Sequence, residues 1–340
     1  MAKMKYVYEL TISSSPHAHS STTTQTVMRD VLIALLPALI GSVVFFGLRA
    51  LMVTLVSATA AVFFEWGYRK MMKLDDTTWD LSAVVTGVLL AFVCPVTIPY
   101  WAIILGDLFA IVLVKQLFGG IGKNFVNPAL AGRAFLVGSY AGVMTTWVDP
   151  AACKAPLMGS TADIVTAATP MAYLKVGDME GLVSQYSVSD MFIGMCGGSM
   201  GEVSALALLV GGAYLIYRKV IGWQIPVAYI GTVAVLSFLF PKTGSGIEFM
   251  LYSVFGGGLF LGAIFMATDY VTSPVTKKGQ LIFGIGCGLF TVLIRYFGSY
   301  NEGVCYSIMV MNLLVPLIEK YTKPTRFGVV KSDKKEAAAK

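Results

Sequence analysis

The sequence predicts an all-α protein that crosses a membrane many times, and three observations support this class. Hydrophobic residues make up 56% of the 340 residues and charged residues only 13%, whereas about 25% is usual in soluble domains. Ten apolar runs approach or reach the length that spans a bilayer. Basic residues are concentrated on alternate connections between these runs. These features predict a polytopic protein embedded in the lipid bilayer.

The apolar runs divide the chain into two halves of five. They are expected at residues 27–46, 48–68, 80–93, 99–117 and 127–144, and again at 202–217, 223–240, 249–266, 280–297 and 304–318. The predicted domains are an N-terminal tail (1–26), a first five-helix half (27–144), a polar interval (145–201), a second half (202–319) and a basic tail (320–340). Because each half has an odd number of spans, the second half is expected to be inverted relative to the first.

The basic residues predict the orientation. With a cytoplasmic N-terminus, 19 of the 25 lysines and arginines fall inside, and four fall outside: Arg49, Lys154, Lys175 and Lys242. Since translocation of Lys and Arg is disfavoured, both termini are expected in the cytoplasm of a bacterium or archaeon, with the polar interval outside its cytoplasmic (inner) membrane. The net charge of +6 then reflects topology, not a nucleic-acid surface.

Two spans in matching positions of the halves end in proline-broken segments. The third span ends at residues 94–99, Cys-Pro-Val-Thr-Ile-Pro, and the eighth at 269–276, which contains Thr-Ser-Pro. Interrupted spans in corresponding positions typically mark a site or pore near the membrane midplane.

Several cofactors are excluded from this chain alone. The five cysteines are scattered without a C-x-x-C pair, so the sequence builds neither an iron–sulfur cluster nor a zinc or other metal site. Both histidines, His17 and His19, lie in the N-terminal tail, which excludes a haem held between spans.

The polar interval contains the pattern Asp163-x-x-Thr166-Ala167-Ala168-Thr169. Small residues beside a hydroxyl let another protein's active site or a phosphate ester approach the backbone closely. The same residues also suit a short helix that Asp163 caps and Pro170 follows. The pattern alone leaves both interpretations open.

Three blocks carry a resemblance to a known family: residues 122–133 (GKNFVNPALAGR), 163–169 (DIVTAAT) and 267–274 (ATDYVTSP). With the ten-span plan, they resemble the D subunits of Rnf complexes, which are membrane ferredoxin:NAD oxidoreductases. This family is related to the B subunit of the sodium-pumping NADH:quinone oxidoreductase. The resemblance covers residues 27–324.

The resemblance implies a covalent flavin. In this family a flavin transferase joins FMN through its phosphate to the last threonine of a D-x-x-[ST]-[GSA]-A-T motif. That threonine is Thr169 here, with Asp163, Thr166 and Ala168 as motif residues. The transferase acts outside the cytoplasm, on the side where charge asymmetry places this loop. The resemblance also allows a second, non-covalent flavin, either riboflavin or FMN, with hydrogen-bonding groups from Asn124, Asn127, Arg133, Asp269 and Thr272.

The glycines at 119–122 do not form a nucleotide-binding loop, because the spacing of G-x-x-x-x-G-K-[ST] is absent. They are expected to turn the chain into the fifth span, with Asn127 as its N-cap and Pro128 at its first position.

Asp107 lies midway along the fourth span, where an isolated charge costs at least ~3 kcal/mol. It therefore pairs with Arg133, carries a proton, or lies on a coupling-ion pathway. Glu65 and Arg295 lie nearer span ends and are expected to reach towards the membrane surface.

Together these features predict an electron-transferring, ion-translocating subunit that moves Na⁺ or H⁺. The chain has no catalytic residues of its own, and its partners would be membrane and peripheral subunits that carry flavin and iron–sulfur centres. The equivalent subunit of the sodium-pumping quinone reductase is one alternative. A non-redox transporter with the layout of a urea channel is another.

Overall fold

The computed structural model describes residues 22–148, 168–202 and 204–323, and every element within these ranges is helical. The first part contains α1 (Thr24–Phe46), α2 (Leu48–Met71), a 3₁₀ turn (Thr78–Asp80), α3 (Ser82–Phe92), α4 (Tyr100–Leu108, continued by a π-helical stretch, Phe109–Gln116), α5 (Pro128–Ser139) and α6 (Ala141–Met144). The middle part contains α7 (Pro170–Val176), α8 (Met179–Gln185) and α9 (Val188–Ile193). The last part contains α10 (Ala205–Tyr217), α11 (Gln224–Leu239), α12 (Gly246–Phe255), α13 (Leu259–Leu261, continued by a π-helical stretch, Gly262–Met266), α14 (Lys277–Phe297) and α15 (Val304–Thr322).

Four of these helices, α1, α2, α14 and α15, are long and apolar enough to cross a membrane. A fifth span exists if α12 and α13 count as one, although they are bent by 61°. The other predicted spans fall on shorter helices, α3, α4 with its π-helical continuation, α5, α10 and α11. The prediction of an all-helical, multi-pass membrane protein is confirmed.

The predicted interruption after the third span is present. α3 ends at Phe92, and α4 begins only at Tyr100. The buried guanidinium of Arg49, at the start of α2, donates to the carbonyls of Val96 at 2.8 Å and Ile98 at 3.4 Å. Because the helix is interrupted here, these carbonyls have no partner within a helix. The bonds from Arg49 satisfy them, as is necessary for backbone carbonyls in the interior of a membrane. The corresponding interruption after Met266 is also present, since α14 begins at Lys277.

A second interruption, inside the predicted span 249–266, was missed. α12 ends at Phe255, and Gly257 and Gly258 adopt φ values of 65° and 67°, which side-chain-bearing residues rarely adopt. Arg295 of α14 donates to the carbonyls of Ser253 at 2.6 Å and Gly256 at 3.2 Å. The prediction that Arg295 reaches the membrane surface is wrong, because this broken helix holds its side chain at 4% exposure.

Corresponding helices make corresponding contacts in the two halves. In the first half, α2 packs against α3 and α4. In the second, α11 packs against α12 and α14. The halves meet where α1 packs against α10 and α5 against α15.

The contact between α2 and α3 depends on Gly87. A Cβ atom at this position would lie 2.8 Å from the Ala58 Cα and 2.8 Å from the Ser57 carbonyl oxygen, both backbone atoms. We expect Gly87→Ala to destabilise the protein by about 1–3 kcal/mol, the usual cost of overpacking. Unfolding in mixed micelles with a rising SDS fraction would measure this cost. Gly67→Ala on α2 is the matched control, because no atom lies within 4 Å of its Cβ position; equal losses in both variants would contradict the prediction.

Candidate functional site

Thr169 is the N-cap of α7, immediately before Pro170 at the first helical position. Proline lacks the N–H that a helix leaves unsatisfied there, so Thr169-Pro170 is a favourable helix start. The Thr169 backbone is extended (φ −68°, ψ 152°), and its side chain makes no capping hydrogen bond. The hydroxyl of Thr169 is therefore not used to stabilise the helix that it precedes.

Aromatic hydroxyls hold the segment around Thr169. The Tyr186 hydroxyl donates to the Ala168 carbonyl at 3.2 Å, and the Tyr252 hydroxyl of α12 donates to the Tyr186 carbonyl at 2.9 Å. These bonds fix the start of α7 against the second half. Asp163 and Thr166 lie outside the described residues, whereas Ala168 is exposed and Thr169 is 6% exposed.

Thr169 borders two adjoining cavities. One, of about 580 Å³, is also lined by Arg133, Trp147, Tyr300, Glu302 and Tyr306. The other, of about 340 Å³, is lined by Glu202 and by the glycines of the α12–α13 break. The Tyr300 and Tyr306 rings are stacked with centroids 4.6 Å apart. The larger cavity thus combines aromatic surface with charge, which suits a planar, polar ligand.

A buried ion cluster lies beside Thr169. Arg133 of α5 donates to Glu202, just before α10, at 3.3 Å and also to Glu302, just before α15. The side chains of Arg133 and Glu202 are only 8% and 7% exposed. One guanidinium thus contacts carboxylates from two distant segments and joins the first half to the second.

A further cavity, of about 830 Å³, lies elsewhere along α5. It is lined by Asn124, Asn127 and Asp269, three of the five residues proposed for a second flavin. Thr272 adjoins it, because its hydroxyl donates to Asp269 Oδ2 at 3.3 Å. The structure separates Arg133 from this group. Arg133 follows Asn127 by six residues, which is about 9 Å along the helix axis. It borders the cavity of about 580 Å³ beside Thr169 instead.

The two sequence blocks at this cavity are joined by Asn127 and Asn312. Asn127 is the N-cap of α5, as predicted: it accepts from the Ala129 N–H at 3.0 Å and donates to the Met266 carbonyl at 3.2 Å. With its amide oriented to suit its neighbours, Asn312 of α15 donates to the Thr272 carbonyl at 3.0 Å and accepts from the Asn127 N–H at 3.2 Å. The sequence analysis missed Asn312, although a lone asparagine inside an apolar span is a recognisable signal.

Two charged side chains, Asp269 and Lys115, line this cavity, and Lys115 is paired with Glu65. Loss of hydration raises the pKa of the Asp269 carboxyl, and hydrogen bonds from the Val271 N–H and Thr272 partly offset that rise. Lys115 also lines the cavity, and its ammonium contacts Glu65 and Ser82 at 2.7 Å each. The prediction that Glu65 reaches the membrane surface is wrong, because this ion pair holds it at 1% exposure.

Asp107 is fully buried on α4. Its Oδ1 atom lies 3.0 Å from the Ser57 hydroxyl, and its Oδ2 atom has no hydrogen-bond partner among the described residues. Of the three alternatives for Asp107, pairing with Arg133 is wrong, because the distant residues Glu202 and Glu302 pair with that guanidinium instead.

Comparison with known proteins identifies the family. A model of the NQR2, RnfD, RnfE family matches residues 11–328. The D subunit of the Na(+)-translocating ferredoxin:NAD(+) oxidoreductase complex of Acetobacterium woodii is 48% identical, over 97% of this chain and 98% of its own length. The proton-translocating counterpart of Clostridium ljungdahlii is 43% identical, over 94% and 96%. The D subunit of the ion-translocating oxidoreductase complex of Actinobacillus pleuropneumoniae is 35% identical, over 93% and 98%.

These matches run almost the full length of the chain and include the three blocks on which the resemblance was based. The chain belongs to the NQR2, RnfD, RnfE family.

Proposed function

We propose that this chain is the D subunit of an Rnf-type complex and carries FMN on Thr169. The complex would couple electron transfer between ferredoxin and NAD to ion transport, as the names of the relatives state for those proteins. The observation that carries the proposal is the Thr169 hydroxyl, which has no capping role and borders an aromatic cavity. The sequence contains no motif for binding ferredoxin, NAD or an iron–sulfur cluster. We therefore assign these sites to partner subunits.

The residues around Thr169 fit a flavin phosphate ester. Thr169 would hold the phosphate, and the aromatic side chains of Trp147, Tyr300 and Tyr306 would flank a planar ring in the larger cavity. Arg133 is paired with Glu202 and Glu302, so its role would be to fix this wall of the cavity rather than to add net positive charge. When bound, a flavin supplies transfer of one or two electrons, which no side chain here can perform.

We assign the second, non-covalent flavin to the cavity of about 830 Å³. The cavity is mainly apolar, and Asn124, Asp269 and Lys115 supply polar groups at its wall. Asn127 also lines the cavity, where it caps α5. Thr272 acts in a supporting role, since it bonds to Asp269 and does not itself line the cavity.

A substitution that fills this cavity tests the assignment. We expect Val31→Trp, on the α1 wall of the cavity, to remove the flavin released on denaturation and to spare the covalent flavin. The measurement is flavin fluorescence of the supernatant and of the precipitated subunit. Val44→Trp is the control on the same helix, because Val44 is 59% exposed and faces away from the interior. Undiminished release from Val31→Trp would place the non-covalent flavin elsewhere.

We also propose the arrangement in the membrane: ten spans in two inverted halves, both termini in the cytoplasm, and the Thr169 loop outside. The corresponding contacts of α2 and α11 support two related halves. The concentration of basic residues on the predicted cytoplasmic side supports the orientation. This orientation brings Thr169 to the side where a flavin transferase, the partner required for maturation, would act.

The test of the function is to locate the flavin. The chain would be expressed with its partner subunits and a flavin transferase, denatured, and examined for in-gel fluorescence under ultraviolet light. Mass spectrometry of its peptides should then show one FMN on the peptide that contains Thr169. A fluorescent band that maps to any other residue, or a subunit without flavin, would refute the proposal.

A further inference from the structure

Asp107 is buried among the helices of the first half. It is 0% exposed on α4, two residues before the helix changes to π-helical geometry at Phe109. Such changes in helix type are frequent at functional sites. Helix α4 packs against α2, α3 and α5, and the carboxyl group faces Ser57 of α2.

The hydrogen bonds around Ser57 indicate the protonation state of Asp107. The Ser57 Oγ atom lies 2.8 Å from the Gly87 carbonyl oxygen and 3.0 Å from Asp107 Oδ1. A serine hydroxyl has one proton to donate, and a carbonyl has none. Both contacts are complete hydrogen bonds only if Ser57 donates to Gly87 and a protonated Asp107 donates to Ser57.

The alternative, an ionised Asp107, would leave a buried charge poorly compensated. Ser57 would then share a single proton between two acceptors, and Asp107 Oδ2 would still have no partner among the described residues. A buried carboxylate with so little compensation is strongly disfavoured. The hydrogen-bond geometry therefore favours the neutral acid.

Charged groups on the neighbouring elements are already engaged. The titratable groups of α2, α4, α5 and the α3–α4 break are Arg49, Glu65, Tyr68, Arg69, Lys70, Cys94, Tyr100, Lys115 and Arg133. Arg49 and Glu65 lie eight residues before and after Ser57, about 12 Å away along α2. Arg49 binds the carbonyls of the break, Glu65 pairs with Lys115, and Arg133 binds two glutamates. The described ion pairs thus include none to Asp107.

We propose that Asp107, with Ser57 and the Gly87 carbonyl, is a proton-binding site within the first half. A role of this site in transport rests on the proposed function. The binding of a proton by Asp107 does not depend on that function. Release breaks the O–H bond at Asp107 and gives the proton to water, and the Ser57 hydroxyl then turns from Gly87 to the new carboxylate. Three oxygens converge here, whereas a hard cation such as Ca²⁺ takes about six to eight, so the site fits a proton rather than a bare metal ion.

Infrared difference spectroscopy of the purified complex, between acid and alkaline buffers, tests the site. We expect a carboxylic-acid C=O band that is lost in Asp107→Asn, whose amide can still donate to Ser57. In Ser57→Ala the band should move to higher frequency, because the acid loses its acceptor. Thr54→Val is the matched control: this buried hydroxyl bonds to the Ala50 carbonyl of its own helix and should leave the band unchanged.

Three results would overturn the proposal: a band that survives Asp107→Asn, a band that Ser57→Ala does not move, or a band that disappears when NaCl is added at constant pH. The last result would show that sodium occupies the site. Flavin on Thr169 is measured in the same samples. Covalent flavin without the Asp107 band refutes this site alone, whereas the band without covalent flavin refutes the proposed function alone.

Discussion

Replacement of Thr169 by alanine is expected to abolish the covalent flavin fluorescence of the denatured subunit. The substitution removes the oxygen to which the phosphate would be joined, so the loss should be complete. It should hardly affect folding, because the Thr169 side chain makes no capping hydrogen bond to α7. In-gel fluorescence, normalised to the amount of subunit, measures the result.

The controls for this prediction are hydroxyl residues close by. Thr169→Ser keeps an oxygen at the same place and should retain flavin. Thr145→Ala removes a hydroxyl that lines the same cavity and bonds to the Ala141 carbonyl. This variant should leave the fluorescent band intact. Loss of flavin in Thr145→Ala to the same extent as in Thr169→Ala would indicate damage to the cavity rather than loss of the attachment atom.

Replacement of Arg133 by methionine is expected to cause the largest loss of stability. The Glu202 and Glu302 carboxylates would remain buried without their guanidinium partner. Breaking a buried ion pair by removing one partner typically costs about 3–5 kcal/mol. Unfolding in mixed micelles with increasing SDS would show the loss as an earlier transition.

Two comparisons separate this effect from a general effect of losing an arginine. Arg29→Met removes an exposed arginine that forms no ion pair within the described residues, and should change stability by about 0.5 kcal/mol or less. Adding Glu202→Gln and Glu302→Gln to Arg133→Met should recover much of the loss, because no buried charge then remains. A triple variant as unstable as Arg133→Met alone would show that packing, not charge, dominates.

Local signals in the sequence predicted the features that depend on neighbours in the chain. Hydropathy located the helices, and Asn127-Pro128 predicted the start of α5 because both the cap and the proline act within one turn. The prolines at 95 and 99 likewise predicted the break between α3 and α4. Each of these features is decided by residues within a few positions of one another.

Features that depend on distant contacts were not predictable from local patterns. Arg133 and Glu302 are separated by 169 residues, so no spacing rule could identify the pair or exclude Asp107 as the partner. The glycines at 256–258 were not recognised as a break, although α12 ends before them and two of them adopt positive φ values. Hydropathy averages over such a break because the residues on both sides are apolar.

The guanidinium of Arg49 also has a consequence for biogenesis. Its bond to the Val96 carbonyl joins residues 47 positions apart, so α2 leaves the ribosome well before the segment that satisfies its arginine. Arg49 lies at the N-terminal end of α2, where a long side chain can reach the membrane surface. We therefore expect Arg49 to become buried only after the α3–α4 break has entered the membrane and supplied its carbonyls.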